Sequence, residues 1–341
     1  MAATKQLDAE IIVVDNNSQD DSCDMVERLF PQVKLIKNPE NSGFSKGNNL
    51  GVKQATGEFL CILNPDTVVA EDTFSSLIEA AENLKDFGIL GCRLIDGTGK
   101  FLPESKRNIP TPLVSIKKIL GFTKGYYASK VGETETAQVD ILVGAFMLMK
   151  RSLYEQISGF DEDYFMYGED VDLSYRALKA GYKNYYVGAV TAVHFKGEST
   201  LKDKRYAQRF YGAMQVFYKK HFKNQGVFDL AVWVGSRLLP YLKNEELPRV
   251  HRPKQYIWVG NKAEEIERVS VPVIQKESVD DFQPQTEYIL DNNMLAFKTI
   301  IQYIEKPTKS QQTTFKIRPV NARFIVGSNS SKSKGEVLHL K

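Results

Sequence analysis

The chain has 341 residues, a length typical of two domains of about 150 residues each. Apolar residues make up 42% and charged residues 26%, which excludes a disordered chain, a collagen-like repeat and a disulfide miniprotein. The 45 Lys and Arg residues exceed the 42 Asp and Glu residues by only three. This surplus is too small for a dedicated nucleic-acid-binding protein.

The three cysteines, Cys23, Cys61 and Cys92, form no CxxC pair. Their spacing argues against a cysteine zinc site, and their odd number argues against a disulfide framework. Residues 1–10 lack the apolar core of a signal peptide, and the longest apolar run, Ile141–Met149, is too short to span a bilayer. We therefore expect a cytoplasmic protein, with peripheral attachment to the inner face of the membrane as an option.

Strand-like and helix-like segments alternate in the first part of the chain. The pattern predicts strands over 10–14, 33–36 and 58–63, and helices over 24–30, 45–55 and 73–84. Such alternation is typical of an α/β fold in which helices cover both faces of a mostly parallel sheet. Asp15 and Asp66 follow two of these strands, at the carboxyl ends where such sheets bind ligands.

The middle of the chain changes character twice. Residues 97–136 are rich in Gly, Pro, Lys and Thr, which predicts a long, mobile loop. Order returns at 139–149 and in a helix over 151–157. Residues 161–172 then carry six carboxylates, and the pattern continues as a helix to Ala180 and a strand over 182–187 that leads towards His194.

The carboxyl-terminal part begins with a basic segment, residues 196–223. Residues 227–242 fit a helix packed on the core or a helix lying on a membrane surface. After a linker to residue 254 we expect a small α/β unit, with strands over 256–259, 271–274, 315–317 and 324–326 and helices over 263–269 and 296–305. Residues 327–335 fit a flexible surface loop better than an anion-binding cradle, because no phosphate-loop spacing is present.

Two polar turns at strand ends could bind a nucleotide. Asp15 and the residues after it could cap a helix, or Asp15 could accept a hydrogen bond from a nucleobase. Asn64-Pro65-Asp66 could be an ordinary turn, or Asp66 could hold Mg²⁺ or Mn²⁺ on a diphosphate.

An acidic helix start and a histidine could complete the site. Glu169, Asp170 and Asp172 stand where a helix dipole favours negative charge. Three carboxylates within four residues repel one another, however, so one of them could instead be a general base for an acceptor hydroxyl. His194 could be structural, a metal ligand or a phosphate contact.

The order of these motifs is more specific than any one of them, and it resembles glycosyltransferase family 2, in particular its rhamnosyltransferase-type branch. The resemblance covers about residues 10–222 and rests on Val13-Val-Asp-Asn-Asn-Ser18, Asn41-Ser-Gly-Phe-Ser-Lys-Gly-Asn-Asn-Leu-Gly51, Leu63-Asn-Pro-Asp-Thr67, Gly159-Phe-Asp161, Gly168-Glu-Asp-Val-Asp-Leu-Ser-Tyr-Arg176 and His194.

The resemblance implies a GT-A fold and inverting, Mg²⁺- or Mn²⁺-dependent transfer from a nucleotide-diphosphate sugar. It implies that Asp170 is the catalytic base, with Glu169 as the fallback, and that Asp66 and His194 contact the metal. Asn64 replaces the first acidic residue of the usual DxD motif. The residues implied to bind the nucleotide sugar are Asp15, Asn17, Gly43, Lys46, Asn48, Asn64 and Asp66.

The same resemblance implies a dTDP- or UDP-linked donor and a glycan or lipid-linked acceptor of bacterial surface polysaccharide synthesis. No Gln-x-x-Arg-Trp segment of the processive synthases is present, so we expect one sugar per transfer. The hydrophobic strand and helix with which family members begin are missing here. Either the sequence is an amino-terminally shortened version of a longer protein, or its activity is reduced or absent, in which case the alternative is a catalytically impaired binding or scaffold protein. The expected domains are a shortened transferase domain (1–222), an amphipathic helix and linker (223–254) and an accessory domain (255–341).

Overall fold

The computed structural model describes residues 1–119, 121–196, 204–222, 253–261, 263–267, 269, 271–306, 312–330 and 335–341. Up to residue 222, strands alternate with helices much as the sequence pattern predicts. The strands are β1 (Ile12–Asp15), β2 (Lys34–Lys37), β3 (Phe59–Leu63), β4 (Thr67–Val69), β5 (Phe87–Ile95), β6 (Thr136–Val139), β7 (Phe146–Lys150) and β8 (Lys183–His194). The helices are α1 (Ser22–Leu29), α2 (Gly43–Val52), α3 (Thr73–Glu82), α4 (Pro112–Ile119), α5 (Arg151–Gln156), α6 (Glu169–Lys179) and α7 (Lys204–His221), with short 3₁₀ helices at Ala2–Thr4 and Pro103–Ser105.

The main sheet of this unit has the order β3-β7-β5-β8-β4, and β6 also pairs with β8. Only β5 and β8 run parallel, whereas the other four pairings are antiparallel. The α/β class is confirmed, but the prediction of a mostly parallel sheet is wrong here. The sheet is mostly antiparallel because β4 follows β3 after a three-residue turn with no crossover helix, and because β7 lies between β3 and β5 and runs antiparallel to both.

β1 and β2 form a separate parallel pair in which Asp15 lies opposite Lys37. Within the described ranges, β1 pairs only with β2 and β3 pairs only with β7. Two strand edges of this unit therefore keep backbone groups that another strand could pair with.

The predicted mobile loop over 97–136 is wrong, because much of this segment is anchored. Leu102 N donates to Leu94 O (2.8 Å), and Arg107 and Ile141 exchange two backbone hydrogen bonds (2.9 and 3.0 Å). Apolar side chains of the segment, among them Leu102 and Tyr126, are buried. The segment also contains α4, so burial of scattered apolar residues orders a stretch whose composition is typical of a loop.

The carboxyl-terminal sheet has the order β10-β9-β11-β12-β13-β14 and is parallel from β10 to β12. The predicted helix over 263–269 is wrong for its described residues, because Ile266 is buried and bridges to Leu340 instead. The elements of this unit are β9 (Gln255–Val259), β10 (Val273–Lys276), β11 (Thr286–Asp291), α8 (Phe297–Glu305), β12 (Thr314–Arg318), β13 (Phe324–Gly327) and β14 (Glu336–His339).

The two units share one hydrophobic cluster. It combines Ala70, Ile95 and Val193 with side chains of β9, β11, β12 and α8. The Glu71 carboxylate accepts hydrogen bonds from the two backbone N–H groups that open α8 (2.7 and 3.0 Å), and Arg93 pairs with Glu305. The carboxyl-terminal unit thus packs directly against β4 and the end of β8.

Part of the predicted organisation cannot be compared with the structure. The predicted helix over 227–242 and most of the linker lie outside the described residues, as does part of the 327–335 segment. Every helix within the described ranges is too short or too polar to cross a bilayer.

Candidate functional site

The turn after β1 is shaped by its own polar side chains. Asp15 Oδ2 accepts a hydrogen bond from Ser18 N (3.1 Å), and its hydrogen bonds with Ser18 lower the pKa of Asp15. Asn17 has φ +65°, and its side chain accepts from Gln19. Of the two interpretations of Asp15, the structure shows the turn-forming contact. Its contact with a nucleobase stays a prediction, as does the role of Asn17.

Asn16, which was not singled out from the sequence, joins this turn to the start of α2. Its amide oxygen accepts from Asn38 Nδ2 (2.8 Å) and Ser42 N (3.2 Å), and its amide nitrogen donates to Gly43 O (3.1 Å). Gly43 has φ +85°, and a Cβ there would lie 2.4 Å from Phe165 O. Only glycine fits this approach without a shift of the backbone.

The expected binding residues on α2 lie in different surroundings. Lys46 is exposed, and Asn48 is half-buried, with its amide donating to Phe44 O (2.9 Å). The neighbouring Asn49 accepts from Phe160 N (3.0 Å) and donates to Phe160 O (2.9 Å). Asn49 therefore fixes the loop before the acidic segment to α2. Its position inside the Asn41–Gly51 motif was the only sequence signal for this role.

The Asn64-Pro65-Asp66 turn connects β3 to β4 and is held from two sides. Asn64 N donates to Ala145 O (3.0 Å), and the Asn64 carbonyl accepts from Thr67 Oγ1 (2.7 Å). Asp66 O accepts from Phe195 N (3.0 Å), and Thr67 lies opposite His194 in the β4–β8 pair. The strand pairing therefore brings the two expected metal contacts together.

Asp66 and His194 are in contact, with His194 Nε2 3.2 Å from Asp66 Oδ1. Burial of the Asp66 carboxyl raises its pKa, but its hydrogen bonds, chiefly the one with His194, together outweigh burial, so the pKa of Asp66 is lowered overall. His194 is buried, and its Nδ1 has no hydrogen-bond partner within the described part of the chain.

The Asp66–His194 pair is compatible with a shared metal ion. No cluster of three or more His, Cys, Asp or Glu side chains suited to a metal occurs among the described residues. A carboxylate and an imidazole are nevertheless chemically suitable, because Mg²⁺ and Mn²⁺ often take one or two protein ligands and complete their shell with water and phosphate oxygens.

Asp170 lies at the start of α6 and is held firmly. Its Oδ2 accepts from Arg107 Nη2 (2.7 Å) and Gly144 N (3.0 Å), and its Oδ1 accepts from Val171 N (2.8 Å). Arg107 is buried, and it also donates to Leu142 O (2.7 Å). Although burial opposes it, the charge of Asp170 raises the pKa of Arg107. Arg107 was not predicted, because its partner lies 63 residues further along the chain.

Glu169 is the uncompensated member of the acidic cluster. Its side chain is buried, and its Oε2 has no hydrogen-bond partner within the described ranges. Burial, and after it the neighbouring charge of Asp170, raises the pKa of Glu169 to about 8. At neutral pH this carboxyl is therefore predominantly protonated, which relieves its repulsion with Asp170.

Asp172, the third carboxylate of the cluster, has a structural role. It is fully buried and accepts from Arg176 Nε (2.6 Å) on one oxygen, while its other oxygen lies 2.6 Å from His221 Nε2. The contact ties the end of α7 to α6. The repulsion expected from sequence is thus avoided by three different surroundings for Glu169, Asp170 and Asp172.

A short backbone segment connects the Asp66 turn to Asp170. Ala145 O accepts from Asn64 N, and the adjacent Gly144 N donates to Asp170 Oδ2. A Cβ on Gly144 would lie 3.2 Å from Asp170 Cβ, so the segment passes close beside the acidic cluster. Residues 144–145 thus fix the DxD-like turn and the acidic helix start relative to each other.

Comparison with known protein families matches residues 2–158 to Glycosyl transferase family 2. The match covers 157 of the 341 residues of the chain. The expected glycosyltransferase class, the rhamnosyltransferase-like branch and the α/β fold of GT-A type are confirmed.

Two relatives have names that specify the sugar. The chain is 29% identical over 211 residues to N-acetylglucosaminyl-diphospho-decaprenol L-rhamnosyltransferase of Mycobacterium tuberculosis, covering 57% of this chain and 68% of that protein. It is 30% identical over 163 residues to Rhamnosyltransferase WbbL of Escherichia coli, covering 45% of this chain and 61% of that protein.

Among solved structures, the mannosyltransferase PcManGT from Pyrobaculum calidifontis in complex with GDP-Man and Mn²⁺ is similar with a TM-score of 0.44 and 19% identity. That similarity covers 70% of this chain and 67% of PcManGT.

Proposed function

We propose that this glycosyltransferase moves one sugar from a dTDP- or UDP-linked donor to a hydroxyl of a glycan or lipid-linked acceptor, with inversion at the sugar. The observation that carries the proposal is the connection through Gly144 and Ala145, which holds the Asp66–His194 pair and Asp170 in one rigid arrangement. A donor diphosphate and an acceptor hydroxyl need separate partners, and both must be held in position for transfer.

Asp170 is the proposed catalytic base. The acceptor oxygen forms a bond to the sugar C1 while the bond from C1 to the diphosphate oxygen breaks, and the diphosphate leaves with the bonding electrons. The acceptor proton passes to the Asp170 carboxylate. Arg107 and Gly144 hold that carboxylate in place and compensate its charge before the proton arrives.

Glu169 remains the alternative base, but its surroundings favour the protonated form at neutral pH. A protonated carboxyl cannot accept the acceptor proton, so the raised pKa of Glu169 makes Asp170 the better candidate. Glu169 then acts as the neutral neighbour that keeps a second negative charge away from Asp170.

Asp66 and His194 are the proposed metal contacts for Mg²⁺ or Mn²⁺. The chemistry supplied there is the neutralisation of charge on the departing diphosphate. The short β3–β4 turn and the β4–β8 pairing orient Asp66 and His194 towards each other. Donor contacts from Asp15, Asn17, Gly43, Lys46, Asn48 and Asn64 are part of the same proposal.

The biological setting is proposed from the two relatives. One is named for transfer of L-rhamnose to N-acetylglucosaminyl-diphospho-decaprenol, a lipid-linked acceptor. By similarity we propose action in bacterial cell-envelope polysaccharide synthesis on the cytoplasmic face of the membrane. Membrane contact through residues 196–242 belongs to this proposal, and most of that range lies outside the described residues.

Calorimetric titration of the full chain with UDP, dTDP and GDP, each with Mn²⁺, Mg²⁺ or a chelator, tests the donor site. We expect metal-dependent binding of dTDP or UDP that is lost in Asp66→Asn and kept in Asp281→Asn, which changes an exposed carboxylate of the other unit. Binding that persists in Asp66→Asn contradicts the metal assignment. Absence of binding by a folded chain favours the impaired scaffold protein.

A further inference from the structure

The most exposed large apolar side chains in the described part of the chain belong to one short segment. Leu113 on α4 is 62% exposed, and Phe122 in the turn after α4 is 66% exposed. Single exposed apolar residues are common on soluble proteins and need no explanation. Here two of them occur within ten residues of a segment that also has an unusual charge pattern.

The geometry of α4 places these side chains outwards. Ser115 is buried and hydrogen-bonded to Tyr218 (2.5 Å), so it marks the inner face of the helix. Leu113 and Lys117, one turn apart, are both exposed on the opposite face. Phe122 N donates to Lys117 O (2.8 Å), which folds the turn back against the end of the helix. Leu113, Lys117, Phe122 and the exposed Lys124 are called the α4 surface below.

The sequence segment that carries the α4 surface contains basic but no acidic residues. Residues 105–132 contain six Lys and Arg residues and neither Asp nor Glu. Three of the basic side chains are used inside the protein: Arg107 pairs with Asp170, Lys106 donates to backbone carbonyls and Lys118 lies over the Tyr126 ring. The other three, Lys117, Lys124 and Lys130, are exposed.

The α4 surface is connected to the acidic cluster by a continuous set of contacts. Ile116 packs in the same apolar cluster as Ile141 and Val171, which follows Asp170 in α6. Arg107, five residues before α4, contacts Asp170 directly. A partner held at the α4 surface would therefore lie on the same structural block as the proposed base.

We propose that the α4 surface binds the face of a lipid bilayer that contains anionic lipids. Exposed apolar side chains that enter the headgroup region, together with exposed lysines in a segment without acidic residues, complement such a surface in both polarity and charge. An uncharged partner would leave the lysines without a counter-charge. The proposal concerns a surface different from residues 196–242 and goes beyond the sugar transfer itself.

Vesicle sedimentation of the full chain, without nucleotide or acceptor, tests the proposal. Vesicles of phosphatidylcholine with phosphatidylglycerol are compared with vesicles of phosphatidylcholine alone. We expect binding to the anionic vesicles that weakens as salt is added. The double variant Lys117→Gln/Lys124→Gln should weaken it about 25-fold, at about five-fold per lysine. Leu113→Ser/Phe122→Ser should weaken it at least about ten-fold.

Matched controls carry the same changes elsewhere. Lys53→Gln/Lys85→Gln removes two exposed lysines, and Leu29→Ser/Val337→Thr changes two apolar side chains that are 56% and 57% exposed. Both controls should bind vesicles like the unmodified chain. All variants should keep their melting temperatures, since the changed side chains are exposed.

Two results would overturn the proposal: equal binding to both kinds of vesicle, or α4-surface variants that bind like the controls. The latter is expected if residues 196–242 alone hold the membrane. Because vesicle binding is measured without nucleotide, failure here leaves the calorimetric test of the donor site unaffected, and the two proposals can fail separately.

Discussion

The contact between Arg107 and Asp170 predicts a large and specific loss of stability. The two side chains are 2.7 Å apart, and only 9% and 11% of their surfaces are exposed. Arg107→Met keeps much of the side-chain volume but leaves Asp170 buried without its counter-charge. It also leaves Leu142 O without the guanidinium donor. Breaking a buried pair on one side costs about 3–5 kcal/mol.

That cost is measurable by thermal unfolding. At about 2–4 °C per kcal/mol, the melting temperature should fall by roughly 6–20 °C. Arg151→Met is the control, because its ion pair with Glu155 has the same length of 2.7 Å but side chains that are 36% and 57% exposed. An exposed pair of this kind is worth less than about 1 kcal/mol.

A second substitution tests whether the uncompensated charge of Asp170 causes the loss of stability. In the Arg107→Met background, Asp170→Asn removes the uncompensated carboxylate and should recover about 1 kcal/mol or more of the lost free energy of unfolding. If Arg107→Met melts like Arg151→Met, or if Asp170→Asn adds its full cost to that of Arg107→Met, the buried pair is not the cause and the argument is refuted.

Three further predictions concern other parts of the chain. The pKa of Glu169 is raised to about 8 in the folded state, so the stability that Glu169 contributes is complete below its ordinary pKa and is lost as the pH rises towards 8. Glu169→Gln should therefore flatten the fall in the free energy of unfolding between about pH 5 and 8. An unchanged pH profile in this variant would contradict the raised pKa. Glu71→Gln should weaken the cap on α8 by about 0.5–2 kcal/mol and speed proteolysis between the two units, whereas the exposed control Glu79→Gln should change neither. Lys316 is fully buried, with its Nζ 3.2 Å from Glu287 Oε2, so Lys316→Met should lower the free energy of unfolding by about 3–5 kcal/mol. Adding Glu287→Leu should restore part of that loss. If the costs of the two substitutions simply add in the double variant, the two side chains are not coupled.

Elements with a clear period could be predicted closely from the sequence. The helix expected over 73–84 is α3 (Thr73–Glu82), and the strand expected over 58–63 is β3 (Phe59–Leu63). β3 is a short apolar run that ends at the Asn64-Pro65-Asp66 turn, and α3 carries its apolar residues at helical spacing. Such local information is sufficient where one face of an element is buried and the other is not.

The strand β5 (Phe87–Ile95) could not be predicted in this way. Nearly all of its residues are buried, so they show no alternation, and Gly88 and Gly91 interrupt the apolar run. A Cβ on Gly91 would lie 2.6 Å from Leu142 Cδ2, and one on Gly88 would lie 3.0 Å from Asn184 Oδ1, so a larger residue at either position requires these side chains to shift. Strand direction was also beyond the sequence, because periodicity reports burial and not orientation.

Some residues of the candidate site could be predicted from the sequence and others could not. Asp66, His194 and Asp170 stand in recognisable motifs, and the structure brings Asp66 and His194 into contact. Arg107 lies in an irregular segment, and its role depends on a contact across 63 residues. The acid-free stretch around Arg107 was a visible signal, but composition alone does not identify the buried partner of a basic side chain.

The most direct test of the account is sugar transfer by Asp170→Asn. The donor is a labelled sugar linked to whichever nucleotide binds in the calorimetric titration, and the acceptor is lipid-linked. Sugar transfer is measured for the unmodified chain, Asp170→Asn, Glu169→Gln and the control Asp281→Asn. We predict that Asp170→Asn binds the nucleotide within about two-fold of the unmodified chain and loses transfer by at least about 100-fold. Undiminished transfer by Asp170→Asn, with loss in Glu169→Gln instead, would contradict the assignment of the base.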